Sequence, residues 1–198
     1  MTPDDHEHFI PAHGGYEQLL SYQKAVIVFV GTSFFVKKWL SKHGDRTVDQ
    51  MVQAARSGKQ NIVEGSVASG TSKEMEIKLT NVARASLEEL KEDYRDFLRT
   101  RQIAEWDAGH RYAKRLRQLN RTPGADYATF KKGIESDDPA IAANVLLGLT
   151  TVSCYLLQKQ IQSLEKAFLR EGGLRERMTR TRLAARKRDG RDGKDGRD

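Results

Sequence analysis

The amino-acid sequence predicts an all-α protein: an up-down four-helix bundle of long helices, with a short-helix insertion and a basic C-terminal tail. Three observations predict it. Apolar residues recur at three- and four-residue steps through several long segments, the spacing that puts them on one face of a helix. Hydroxyl and carboxylate residues of the N-capping type stand at short breaks between those segments. The composition, 38% hydrophobic and 31% charged over 198 residues, is that of long helices with wide solvated faces.

Residues 1–15 carry Pro3, Pro11, Gly14 and Gly15 and hold no sustained period, so they read as an irregular arm. From Tyr16 the apolar positions Leu19, Leu20, Ala25 or Val26, Phe29 or Val30, Phe34, and Trp39 or Leu40 mark a first helix over 16–41. The β-branched run Val26, Ile27, Val28 is a counter-signal that the length of the pattern outweighs. Gly44 breaks the chain, and Thr47 with Gln50 has the form of a capping box opening a second helix to about Ser69. Gly70 ends that helix, and Thr71 with Glu74 repeats the box before a third helix over 72–101. Its expected core stripe is Ile77, Val82, Leu87, Leu90, Tyr94, Phe97 and Leu98. Short breaks of this kind imply antiparallel neighbours.

Residues 102–138 read as an insertion. Asp107 is expected to cap a helix to Leu119, Thr122 to Ala125 form a turn, and 127–133 make a helical turn or two. Asp138 followed by Pro139 then sets an N-cap with proline at the first helical position. The last bundle helix should run to Arg170 through Ile141, Val145, Leu149, Val152, Leu156, Ile161, Leu164 and Phe168, and stop at Gly172 and Gly173. The bundle helices thus occupy 16–101 and 139–173, and 174–198 is a basic helical tail whose last ten residues, Asp-Gly-Arg/Lys repeats, should be disordered.

The second helix has a face of small residues. Ala54, Gly58, Asn61, Gly65 and Ala68 follow one another at steps of three or four. Glycine inside a helix costs about 1 kcal/mol against alanine, so a close neighbouring helix must offset it. Asn61 on that face would be buried and would need partners. Arg56, Lys59, Gln60 and Glu64 interrupt the face, and their favoured role is to tie helices or subunits together rather than to meet phosphate.

The formal charge of +7 is uneven. Residues 174–188 hold seven Lys/Arg (Arg175, Arg177, Arg180, Arg182, Arg186, Lys187, Arg188) against one acid, Glu176. A second cationic segment, Arg111, Lys114, Arg115, Arg117 and Arg121, has no acid between Ala108 and Ala125. Phosphate backbones attract such patches through counterion release. A solvated helix face with a solubilising tail explains the same charges equally well. No aromatic platform is expected beside these patches, so base reading is not supported.

Catalytic motifs do not emerge. Cys154 is the only cysteine, which excludes an intramolecular disulfide and fits a reducing cytosol; inside an apolar stripe it reads as a small core residue. His6 and His8 flank Glu7 in the arm and read as a mobile polar segment rather than a metal site. Arg84, Glu88 and Lys91 have the spacing of intrahelical ion pairs, not of a catalytic carboxylate pair. The glycines at 65 and 70 lack the lysine of a phosphate loop. No cofactor is expected. The polar, acidic start does not look like a signal peptide, and the stretch read as most apolar, residues 25–30, is too short to span a membrane. A cytoplasmic protein without membrane contact is the expectation.

Residues 49–65, with Arg56, Asn61, Ile62, Glu64 and Gly65, followed by Ser72 to Glu74 and by Arg84, Ser86, Leu87, Glu88 and Leu90, resemble the four-helix-bundle proteins first noted as products of intervening sequences in large-subunit ribosomal RNA genes. Tyr22 to Ala25 fit the family's opening. The accessory variability determinant of diversity-generating retroelements belongs to the same superfamily. Trp106, Asn144, Leu156, Leu157, Gln160, Leu164, Phe168, Gly172, Gly173, Glu176 and Arg177 resemble its longer branch with a "four helix bundle suffix" region. The resemblance implies a homo-oligomer, a pentamer in the accessory determinants, that binds nucleic acid and associates with a reverse transcriptase. It also implies that Arg56, Gly58, Asn61, Glu64, Gly65, Arg84, Ser86 and Glu88 serve helix or subunit contacts. The expected function is therefore a non-enzymatic oligomeric scaffold binding structured RNA. The alternative is a protein-interaction module without a nucleic-acid role, its tail docking on an acidic partner.

Overall fold

In the computed structural model, residues 14–40 and 46–192 are described, and among them every long element is a helix and none is a strand. A 3-10 turn, Tyr16–Gln18, leads into α1 (Leu20–Trp39). Then come α2 (Arg46–Ala68), α3 (Lys73–Thr100), α4 (Arg111–Asn120), α5 (Tyr127–Ile134), α6 (Pro139–Glu171) and α7 (Leu174–Asp192). The arm to His13 with His6 and His8, the Gly44 loop, and residues 193–198 lie outside the described residues.

The four long helices α1, α2, α3 and α6 pack side by side in a ring, α1 on α2, α2 on α3, α3 on α6 and α6 on α1. Cross-helix partners give their directions. Ser57 meets Ser86, and Gly58 and Gly65 meet Leu87 and Leu79, so α2 and α3 are antiparallel. Gly31 faces Leu146 while Ser21 Oγ donates to Gln160 Oε1 at 2.7 Å, so α1 and α6 are antiparallel too. Lys59 of α2 lies over the Phe29 ring of α1 at 4.8 Å. The core is mainly aliphatic, with Phe35 meeting Tyr94 and Phe97 edge-to-face at 5.2 and 4.7 Å. Edge contacts of this kind suit the ring quadrupole.

Eleven polar or charged residues are buried among the described ones, and hydroxyls such as Thr80, Thr150 and Ser153 donate to carbonyls of their own helix. Thr32 Oγ1 donates to Val28 O at 2.7 Å and stands 2.8 Å from Tyr94 Oη, with both residues at 1% exposure or less. Because the threonine proton goes to Val28, the Tyr94 phenol donates to Thr32. Burial raises the Tyr94 pKa far above its ordinary value, ahead of the opposing Thr32 hydrogen bond. Glycines let α2 and α3 approach: a methyl at Gly58 would stand 2.5 Å from Leu87 Cδ2.

Several boundaries differ from the expected ones. The first helix begins at Leu20 behind a 3-10 turn rather than at Tyr16. The second includes Arg46, so Thr47 lies in its first turn and is not the N-cap. At the third, Ser72 rather than Thr71 is the N-cap, accepting from Met75 N at 3.1 Å. In the expected α3 stripe, Val82 is 45% exposed and Ile77 half-buried; Thr80, Ala83 and Ser86 line the buried face with the leucines. Asn61 is half-buried, not buried. It donates to Ser57 O and Oγ on its own helix. The α6 cap is as expected, Asp138 accepting from Ala140 N at 2.8 Å. Gly172 stops the helix with φ 74°. The tail helix runs past Arg188 to Asp192, into the segment expected to be disordered.

Residues 25–30 are not the most apolar stretch. The helical run from Pro139 contains a window of mean hydropathy 1.8, long and apolar enough by composition to cross a membrane, and 61% of it is buried inside the bundle. Enclosure by α1, α3, α4 and α5 accounts for that apolarity.

Candidate nucleic-acid interface

The connection from α3 to α4 positions the central cationic segment. Helix α3 ends without glycine. Gln102 takes the left-handed conformation at φ 56°, Gln102 N donates to Arg99 O, and Ile103 N donates to Leu98 O at 2.9 Å. These are the two bonds of a Schellman stop. Asn144 of α6, 4% exposed, then pins the chain. Its Oδ1 accepts from Trp106 N at 2.8 Å, and its Nδ2 donates to Ala104 O and to Ala140 O. The Asp107 carboxylate accepts from Gly109 N and His110 N at 2.6 and 2.8 Å, closing a turn. Asp107 is thus a turn residue and not the expected helix cap; the N-cap of α4 is His110, whose Nδ1 accepts from Tyr112 N at 3.3 Å.

Helix α4 rests on α6 through a single buried side chain, Leu116, seated over Gly148. Arg111, Lys114, Arg115, Arg117 and Arg121 are all exposed. They are not equivalent. The Arg111 guanidinium lies 4.5 Å from the Tyr112 ring and donates to its hydroxyl. Arg117 donates to Ala108 O at 2.6 Å, which ties it to the turn. None of the five forms an ion pair among the described residues.

Three aromatic rings gather beside these cations. Trp106 stacks on His110 with ring centroids 4.8 Å apart and planes 14° from parallel, and Tyr112 tilts against both at 5.3 and 5.6 Å. The sequence reading expected no such platform. The rings come from an irregular turn and the start of α4, so no helical or strand spacing announces them.

The tail cations sit on α7, where no side chain over residues 174–186 is buried. Arg175, Arg182 and Arg186 are exposed. Arg180 donates to Glu171 O at the end of α6, and Arg177 is half-buried, its Nε without a hydrogen-bond partner. Lys187 and Arg188 continue the same helix. The α4 and α7 segments are separate in the fold: α4 packs on the N-terminal half of α6, and α7 follows its C-terminus.

The expected contact residues divide in two. Gly58, Gly65 and Ser86 are buried at the α2–α3 contact, where Ser86 Oγ donates to Ser57 Oγ at 3.1 Å. Arg56 and Glu64 are exposed on α2. Arg84 bonds Asn81 Oδ1 rather than Glu88. Glu88 pairs closely with Lys91. Burial pushes the Glu88 carboxyl up, but the Lys91 hydrogen bond and charge outweigh it and hold its pKa below the ordinary value. Beside this pair, burial and the Glu88 charge push the Cys154 thiol up to about 12, so it is protonated at neutral pH and unsuited to nucleophilic work. Among the described residues no group of three or more His, Cys, Asp or Glu side chains could hold a metal ion.

The surfaces differ in sign. The groove between α2 and α3 is lined by Asp49, Glu89 and Asp93, and burial with the neighbouring Asp96 and Glu89 charges raises the Asp93 pKa. The α4 face carries the opposite charge. Comparison with protein-family models, characterised proteins and solved structures finds no match to this chain.

Proposed function

We propose that this chain is a non-enzymatic, self-associating scaffold that binds structured RNA through the exposed cations of α4 and α7. The observation that carries the reading is the α4 face: five exposed Lys/Arg side chains without a carboxylate partner among the described residues, held in place by the Asn144 and Asp107 turns. Cations whose charge is not neutralised by a carboxylate release condensed counterions from a phosphate backbone. The α2–α3 groove, with its carboxylates, would repel the same backbone, so RNA meets the α4 side. Homo-oligomer formation, a pentamer by the family resemblance, multiplies these patches around a ring. The same resemblance supports a reverse transcriptase as protein partner, and the single cysteine fits a reducing, cytoplasmic setting.

Removal of residues 174–198 tests the reading. The truncated chain should bind a structured RNA far more weakly than the full chain in an electrophoretic shift at low salt. Undiminished binding would take the tail out of the interface. A second reading, a protein-interaction module without RNA, draws on α7 itself, where Met178 and Leu183 are 45% and 50% exposed beside the arginines. It predicts no RNA shift by either chain.

A further inference from the structure

We infer that the cleft between α4, α5 and α6 receives one unpaired base of a single-stranded RNA segment. This rests on the nucleic-acid reading of the α4 face and sharpens it from phosphate contact to base capture. The cleft encloses about 520 Å³, within the range of small-ligand sites. Its walls include the Trp106 and Tyr112 rings, with Phe130 of α5 buried at its floor. Arg115 and Lys132, both exposed, stand at its edge, and no carboxylate among the described residues lines it. Ser136 Oγ accepts from Asp138 N at 3.1 Å, which leaves the hydroxyl proton to donate to a ligand.

This combination selects a base over other occupants. An apolar peptide segment would gain from the rings but nothing from two cations without acids. A phosphate alone would use Arg115 and Lys132 and leave the aromatic walls wet. A nucleotide uses both: its base offers a π face and its phosphate meets the cations. Tyr112 already packs against Trp106 and His110 and has the Arg111 guanidinium 4.5 Å from its ring centre, so its ring is fixed before the base arrives. A base inside a duplex cannot enter, because its faces are stacked and its edge paired.

The test uses the full chain and two labelled RNAs, an oligoadenylate of about ten nucleotides, within the usual single-strand site size, and a blunt duplex of similar length. Tyr112 is 37% exposed, so Tyr112→Ala should keep the fold, checked by its thermal melt. The single-strand affinity of Tyr112→Ala should fall about 5- to 150-fold, the effect of one lost base–aromatic stack. Duplex affinity should change less than about twofold, since phosphate contacts do not sense the ring. Tyr112→Phe, which keeps the ring, should bind both RNAs like the native chain. Equal losses for both RNAs in Tyr112→Ala, or no loss in either, would overturn base capture and leave the phosphate reading intact. Failure of the native chain to bind either RNA would overturn the nucleic-acid reading itself, and base capture with it.

Discussion

Gly58 and Gly65 occupy the same face of α2, two turns apart, yet alanine should have opposite effects at the two sites. Each substitution gains about 1 kcal/mol from the higher helix propensity of alanine. At Gly65 the new methyl would lie 3.4 Å from Glu76 O and Leu79 Cβ, ordinary contact distances, so the gain should survive. At Gly58 the methyl would lie 2.5 Å from Leu87 Cδ2 and 2.6 Å from Cγ, and Leu87 is fully buried with nowhere to turn. Overpacking of this kind costs about 1–3 kcal/mol, for a net loss near 1 kcal/mol. The two variants should therefore differ by about 2 kcal/mol, or roughly 4–8 °C in melting temperature for a chain of this size. Melts followed by circular dichroism at one fixed protein concentration measure the difference, since self-association makes the midpoint concentration-dependent. Equal midpoints, or a Gly58→Ala chain more stable than Gly65→Ala, would refute the close α2–α3 approach.

Other consequences follow from buried polar groups. Tyr94→Phe leaves Thr32 still donating to Val28 O and should cost about 0.5–1.5 kcal/mol, whereas Thr32→Val strands the buried Tyr94 hydroxyl and should cost about 1–3 kcal/mol in urea melts. The folded-state pKa of Cys154, about 12, lies above its unfolded value near 9.0. Its proton therefore stabilises the fold below pH 9, and that contribution is lost as pH rises toward 12. Cys154→Ala should lose less stability than the native chain over that interval, and an identical alkaline decline would remove the thiol from the explanation. Asn144→Leu leaves Trp106 N and Ala104 O unpaired, so the Trp106 amide should exchange with solvent markedly faster while core amides such as Leu90 keep their protection.

The long elements were legible in the sequence because their signals are local. Apolar spacing marks α3 and α6, and Asp138 before Pro139 marks a helix start. Gly172 marks a stop through its positive φ. The stripe of Gly58 and Gly65 announced a close helix contact that the structure contains. Boundaries without such residues slipped. The stop after helix α3 uses Gln102, a residue type that rarely takes the left-handed region, and Thr71 and Ser72 are equally good caps until tertiary packing chooses between them. The candidate site was half legible. Its cations stand out as a charge run, but the Trp106, His110 and Tyr112 cluster depends on Asn144, 38 residues away from Trp106 in the chain. No local pattern encodes that bond. Asn61 shows the reverse error: its place on the small-residue face suggested burial, while the structure half-exposes it and lets it bond its own helix.

The most direct measurement is the salt dependence of RNA binding by the native chain and by a chain carrying Arg111→Gln, Lys114→Gln and Arg115→Gln together. Native affinity should fall linearly in a plot of log K against log salt, and each lost phosphate contact should flatten the slope by about 1. The triple variant should therefore show a slope shallower by about 2–3, with its melting temperature unchanged because all three side chains are exposed. Identical slopes for the two chains, or binding indifferent to salt, would contradict an RNA interface on α4.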